Sequence, residues 1–202
     1  VAIAYESVRS AGRYWSVPLA RAVVALAVGI VVTFSADHTP SFGLAVFGAF
    51  ALVAGVIGAI LHTARVAGRA RALLLTSASV DVLAGVIAIL LLLTAPSLDG
   101  FVYLVAVWGV FSGVPEFLAG RAARTDAPLA AASRDWRLVG AATALFGVVF
   151  AVLPPHPIVS VGLLGAYAVM LGVFLGIAAF SLKWAAAGAG SPIQKPNDGE
   201  LR

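Results

Sequence analysis

The chain has 202 residues, 61% of them hydrophobic and only 11% charged, with a mean hydropathy of +1.04. Soluble domains carry about 25% charge, so a cytosolic enzyme, a disordered chain and a disulfide-rich secreted module are excluded, and a polytopic membrane protein remains. The net charge of +4 does not point to nucleic acid, because the basic residues form short clusters between apolar runs, and the lack of cysteine removes thiolate chemistry, disulfides and Cys-rich metal sites.

A bilayer core about 30 Å thick takes about 20 apolar residues as a helix. Residues 1–16 form an N-terminal segment, and the first span follows at 17–35, ended by the polar stretch before Pro40. The second span covers 42–62, and a basic loop leads into the third at 72–93. Pro96 and its polar neighbours separate the third from the fourth, at 101–120. The longest polar connection, 121–137, precedes a short fifth span at 138–153. Pro154, Pro155 and Pro157 break that span, because proline lacks the amide donor that a helix needs. The sixth span covers 158–182, and residues 183–202 read as a disordered tail rich in glycine and polar residues. Unbroken apolar runs without alternation predict helices rather than a barrel. The predicted fold is therefore all-α, with six transmembrane helices in a domain at 17–182.

Charge sets the orientation. Arg9, Arg13 and Arg21 precede or enter the first span; Arg65, Arg69 and Arg71 lie between spans two and three. Arg121, Arg124, Arg134 and Arg137 lie between spans four and five, and Lys183, Lys195 and Arg202 follow span six. All thirteen basic residues thus fall on one side, which the positive-inside rule makes cytoplasmic, with both termini there. Trp15, Trp136 and Trp184 sit at the same ends, where interfacial anchors are expected.

The spans read as three repeated hairpins, 17–62, 72–120 and 138–182. Gly29, Gly85 and Gly147 match in the odd spans, each preceded by four positions by a small or polar residue (Ala25, Asp81, Thr143). Gly55, Gly113 and Gly172 match in the even spans, and five residues before each stands an aromatic: Phe50, Trp108 and Tyr167. With lipid as solvent, helices dock through small residues at four-residue spacing, so these glycines, together with Gly109 and Gly176, are packing candidates.

Two stretches carry a family resemblance. One is Trp108-Gly109-Val110-Phe111-Ser112-Gly113-Val114-Pro115-Glu116; the other runs from Ser133-Arg134-Asp135-Trp136-Arg137 through Gly140 and Gly147 to Gly165-Ala166-Tyr167 and Gly172. With the glycine-marked hairpins and outer prolines, the chain resembles the HdeD-like acid-resistance membrane protein family over about residues 15–184. The first hairpin departs from the pattern, having Arg21-Ala22 where members often have Arg-Gly. The resemblance implies a multi-pass protein of the bacterial plasma membrane linked to acid or envelope stress. It carries no catalytic residues over to this chain.

Three polar groups within or near the spans are candidates for chemistry. Asp81 lies about ten residues into span three, near mid-membrane by the 1.5 Å rise. Glu116 lies close to the cytoplasmic interface, and Arg21, at similar depth, is a possible ion-pair partner. Intramembrane acids face the bundle interior or water. The sharper reading of Asp81 is a proton-responsive site; the blander one is an interhelical bond that sets packing. In the outer loops Asp37, His38, Asp99 and His156 would form a pH sensor if they converge, since imidazole titrates near pH 6.5. They lack the ligand spacing of a metal site. His62 reads as an interface residue. No GxSxG, HExxH or Walker loop is present. The expectation is a protein without catalytic activity, metal or cofactor. It would act by self-association or within a larger membrane complex, with the lipid bilayer as its surroundings. A small proton or solute transporter using Asp81 is the alternative, and a lipid-binding protein is a third reading. Outward glycine faces would favour association; Asp81 and Glu116 turned toward a common hydrated lumen would favour transport.

Overall fold

The computed structural model describes residues 14–125 and 129–188, with side chains to residue 184. Residues 1–13 and 189–202, which hold the N-terminal segment and most of the proposed tail, lie outside the described residues. Six helices follow in order: α1 (Ser16–Phe34), α2 (Pro40–Arg65), α3 (Gly68–Thr94), α4 (Leu98–Ala122), α5 (Ala130–Val152) and α6 (Pro157–Gly188). All six are long and apolar enough to cross a membrane, and no strand occurs among the described residues.

Local signals set the ends. Thr39 caps α2, its Oγ1 accepting from the Phe42 amide at 3.3 Å, with Pro40 in the first turn. Ser97 caps α4 in the same way, accepting from the Gly100 amide at 3.1 Å. At the opposite end a two-residue link joins α2 to α3, and the chain turns there through Gly68 at φ +64°, a conformation that favours glycine. The helices therefore have a proline end, where the caps lie, and a basic end.

Two boundaries differ from expectation by more than four residues, and the expected loop at 63–71 shrinks to two residues because α2 runs to Arg65 and α3 begins at Gly68. Helix α5 begins at Ala130 rather than 138, so Arg134, Asp135, Trp136 and Arg137 belong to the helix and not to the connecting loop. Polar residues at a span's mouth read as loop in the sequence, but an alanine-rich start (Ala130–Ala132) is a strong helix former. Helix α6 runs to Gly188, six residues past the expected end.

Helices α2 and α3, α4 and α5, and α1 and α6 are the most closely packed pairs, and α3 also packs well against α4. The expected packing glycines build the contacts of α2 with α3, α4 with α5 and α1 with α6. Their register is the same in all three. A Cβ on Gly172 would meet Leu26, three residues before Gly29; one on Gly55 would meet Val82, three before Gly85; one on Gly113 would meet Ala144, three before Gly147. The reciprocal contacts also agree, with Gly29 against Val169, Gly85 against Leu52 and Gly147 against Val110. Gly109 meets Gly147 backbone to backbone. Gly176 is the exception: a Cβ there would meet nothing within 4 Å, so it makes no close contact. Gly48, Gly120, Gly140 and Gly165 take part in close contacts instead, in addition to the expected set.

Phe47, Phe101, Leu44, Leu164 and Val161 are among the largest fully buried side chains of the central core, which also holds Trp108 and Tyr167. A smaller cluster at the basic end gathers Tyr14, Val17, Leu74, Ala119 and Trp136. The outward surface is apolar on every helix, from Val23 and Ile30 on α1 to Val173 and Ile177 on α6, which suits a lipid surround.

Candidate intramembrane polar site

Asp81 on α3 is buried and turned into the bundle. Its Oδ1 accepts from the Trp108 indole Nε1 and from the Ser112 Oγ, both at 2.7 Å, and the Ser112 hydroxyl lies 3.0 Å from that of Ser77. The spacing explains the convergence. Ser77 and Asp81 are four apart on α3, Trp108 and Ser112 four apart on α4, so each pair shares one helix face. Trp108 in turn is ringed edge-on by Phe47, Phe50 and Tyr167 at 5.2–6.0 Å between centroids. The three matched aromatics, Phe50, Trp108 and Tyr167, thus meet at the centre of the bundle.

One turn nearer the basic end, Glu116 is buried and takes both terminal nitrogens of Arg21, one of them at 3.0 Å. This two-pronged geometry is the strong form of the pair. Insertion of a charged side chain at mid-membrane costs about 2.5–3.5 kcal/mol, so a pair held this close is what lets both groups sit inside. Arg21 also lies within electrostatic reach of Asp81, Tyr14 and His62. Asp81, Glu116 and Arg21 therefore share one interior.

Three features of this interior were not expected from sequence. His62 is 3% exposed, and neither ring nitrogen has a hydrogen-bond partner, so it is a core residue and not an interface one. Trp136 is also buried, and its Nε1 donates to the Tyr14 hydroxyl at 2.7 Å, so it closes the basic end of the bundle rather than anchoring it in headgroups. Burial pushes the Tyr14 phenol up, away from ionisation. Thr143 and Tyr167 share a hydrogen bond at 2.7 Å between α5 and α6. That bond stands where Asp81 and Trp108 stand between α3 and α4, and where Ala25 and Phe50 supply apolar groups. Trp184 is exposed, and Trp15 carries the Lys183 ammonium 5.0 Å from its ring centroid.

Asp37, Asp99 and His156 are exposed, and no group of three potential ligands capable of holding a metal ion occurs among the described residues. Asp37 accepts from the Thr39 amide at 2.8 Å, which holds its carboxyl below the ordinary range. His38 lies 3.5 Å from the Ala36 carbonyl within its own loop.

Trp108, which bonds Asp81, is packed by Phe47 and Phe50. No protein-family model matches the chain, and comparisons with curated proteins and with solved structures returned no match.

Proposed function

We propose that this chain is a non-enzymatic protein of a bacterial plasma membrane that moves or senses protons through its core. Asp81 is the protonatable group, with Glu116 and Arg21 gating it from the cytoplasmic side. The observation that carries this reading is the shared interior of Asp81 and Glu116, reached from different helices. Glycine faces turned outward would have favoured association as the main role. Seven of the eight expected packing glycines are instead occupied inside the bundle, which leaves that reading Gly176 alone. A role in envelope or acid-stress tolerance accords with the HdeD-like resemblance. The matched register of the three glycine contacts supports descent of the helix pairs from one repeated hairpin. In that repeat the second and third copies carry the polar partners Asp81–Trp108 and Thr143–Tyr167.

Proton flux into proteoliposomes containing a trapped pH dye, driven by a potassium diffusion potential, tests the reading. Wild type should acidify the lumen faster than protein-free vesicles, Asp81→Asn should fall to the protein-free rate, and the loop variant Asp99→Asn should match wild type. Wild-type flux equal to empty vesicles would remove transport, and pH-independent tryptophan emission from Trp108 would then remove sensing as well. The orientation has its own test. Single cysteines at His156 and Asp37 should label from outside intact cells, and one at Arg124 should label only after permeabilisation.

A further inference from the structure

One helix junction is not closed. Helices α5 and α6 meet through Tyr167, which stacks on Phe146 at 4.2 Å and bonds Thr143, but on the basic side of that bridge they part. A crevice opens there between Leu138, Ala142 and Val139 of α5 and Met170, Leu171 and Phe174 of α6. It continues past Ile177 and Ala178 to Arg134 and Asp135 at its mouth, where it widens to about 520 Å³. Beyond Leu138 and Arg134, which line both spaces, lies a second cleft of about 580 Å³ whose walls carry Arg121, Arg124, Arg134 and Arg137. Arg121, Arg124 and Arg134 are exposed there, and the ion pair at Glu116 belongs to Arg21. Asp135 adjoins Arg134, and Asp126 of the connecting loop lies outside the described residues. Counting both acids, residues 121–137 carry four arginines against two carboxylates.

We propose that this junction binds an anionic phospholipid, its phosphate held by the arginine cleft and an acyl chain laid in the α5–α6 crevice. Charge and shape agree. The crevice is apolar for most of its length and ends at guanidinium groups, as a lipid is apolar for most of its length and ends at a phosphate. Basic clefts between membrane helices on the cytoplasmic side suit anionic headgroups, and arginine binds phosphate through two parallel donors. Phosphatidylcholine offers the same chains but a compensated headgroup. A free phosphate ester offers the anion without the chain.

Native mass spectrometry of the purified chain in detergent tests this, with phosphatidylglycerol and phosphatidylcholine of identical acyl chains titrated separately. Phosphatidylglycerol should bind at least tenfold more tightly. Arg134→Gln should reduce that preference by about fivefold, as expected for one arginine near an anionic surface. Arg121→Gln with Arg134→Gln should reduce it further, and Arg69→Gln with Arg71→Gln at the start of α3 should leave it unchanged. Ala142→Trp, which fills the crevice, should weaken phosphatidylglycerol. Equal binding of the two lipids would overturn the proposal. So would full competition by glycerol phosphate at equal concentration, which would make this an anion site only. A dimer that survives delipidation and excludes lipid would assign the crevice to a second copy and would equally overturn it. The arginine variants lie on exposed positions, so their folding does not limit the test.

Discussion

At the scale of single residues, the interior polar groups divide into satisfied and unsatisfied ones, and the two classes respond oppositely to substitution. Glu116→Gln leaves the partly buried Arg21 with its partner's charge gone. Loss of one member of a buried pair costs about 3–5 kcal/mol, so this variant should melt well below wild type in detergent. Arg21→Met with Glu116→Met should recover most of that loss, because neither charge is then left alone; a double variant no more stable than the single one would show that the pair is not the source. His62 behaves in the other direction. A buried imidazole with neither nitrogen bonded is a desolvated group without return, and His62→Leu should raise the melting temperature. If proton flux falls while stability rises, the histidine is retained for function. Asp37 shows why the loop acids make poor sensors in mild acid. Its folded carboxyl is held below its unfolded value by the Thr39 amide. The stabilisation is therefore present above the ordinary carboxylate range and disappears as pH falls through the lowered value. The melting temperatures of wild type and Asp37→Asn should differ slightly at neutral pH and converge only in strong acid.

At the scale of helices, the glycines decide which faces meet. A Cβ on Gly113 would stand 2.6 Å from the Gly140 carbonyl oxygen, and one on Gly55 would stand 2.8 Å from that of Ala78. These neighbours are backbone and cannot rotate away. Gly113→Val should therefore abolish a monodisperse peak in size-exclusion chromatography, or lower the melting temperature by many degrees. Gly162→Val, at a position with nothing within 4 Å, should leave both unchanged. The same reasoning separates glycines that repeat in sequence from glycines that pack. The stripe at four-residue spacing was legible because lipid gives apolar side chains no reason to associate, leaving close backbone approach as the main attraction. The partner of each stripe was not legible, since spacing along one helix says nothing about which neighbour it faces. The closest contacts join one hairpin to the next, α2 to α3 and α4 to α5 across the basic end, and the last helix to the first.

At the scale of the whole molecule, α6 returns to pack on α1, so the first and last helices close the bundle. Gly29 against Val169 and Leu26 against Gly172 mark that crossing. Because the chain has no native cysteine, Leu26→Cys with Val169→Cys gives a clean probe. A short bismaleimide should join them, detected as a mobility shift after proteolysis in the α3–α4 region. Leu26→Cys with the lipid-facing Leu83→Cys should stay unjoined. Closure also explains the central aromatic cluster. Phe50, Trp108 and Tyr167 come from α2, α4 and α6, far apart in sequence, and meet only when the helices close.

What the sequence by itself determined was the membrane class, the six helices, the small-residue stripes and the presence of acids too costly to bury without a purpose. Each follows from the chain's local chemistry: apolar length against bilayer thickness, proline and serine at the ends, charge against hydrocarbon. The pairing of Arg21 with Glu116 was suggested by equal depth along two helices, a quantity countable from the loops. What only the tertiary structure decided was which faces look at one another. Asp81 meets Trp108 and Ser112, Trp136 turns inward to Tyr14, and His62 is buried. The crevice at α5 and α6 exists because that pair parts on one side of Tyr167. These spans are apolar almost all round, so no amphipathic stripe distinguishes inside from lipid. Orientation about each helix axis is then set by close contact alone, and contact is a property of pairs of helices rather than of any one segment.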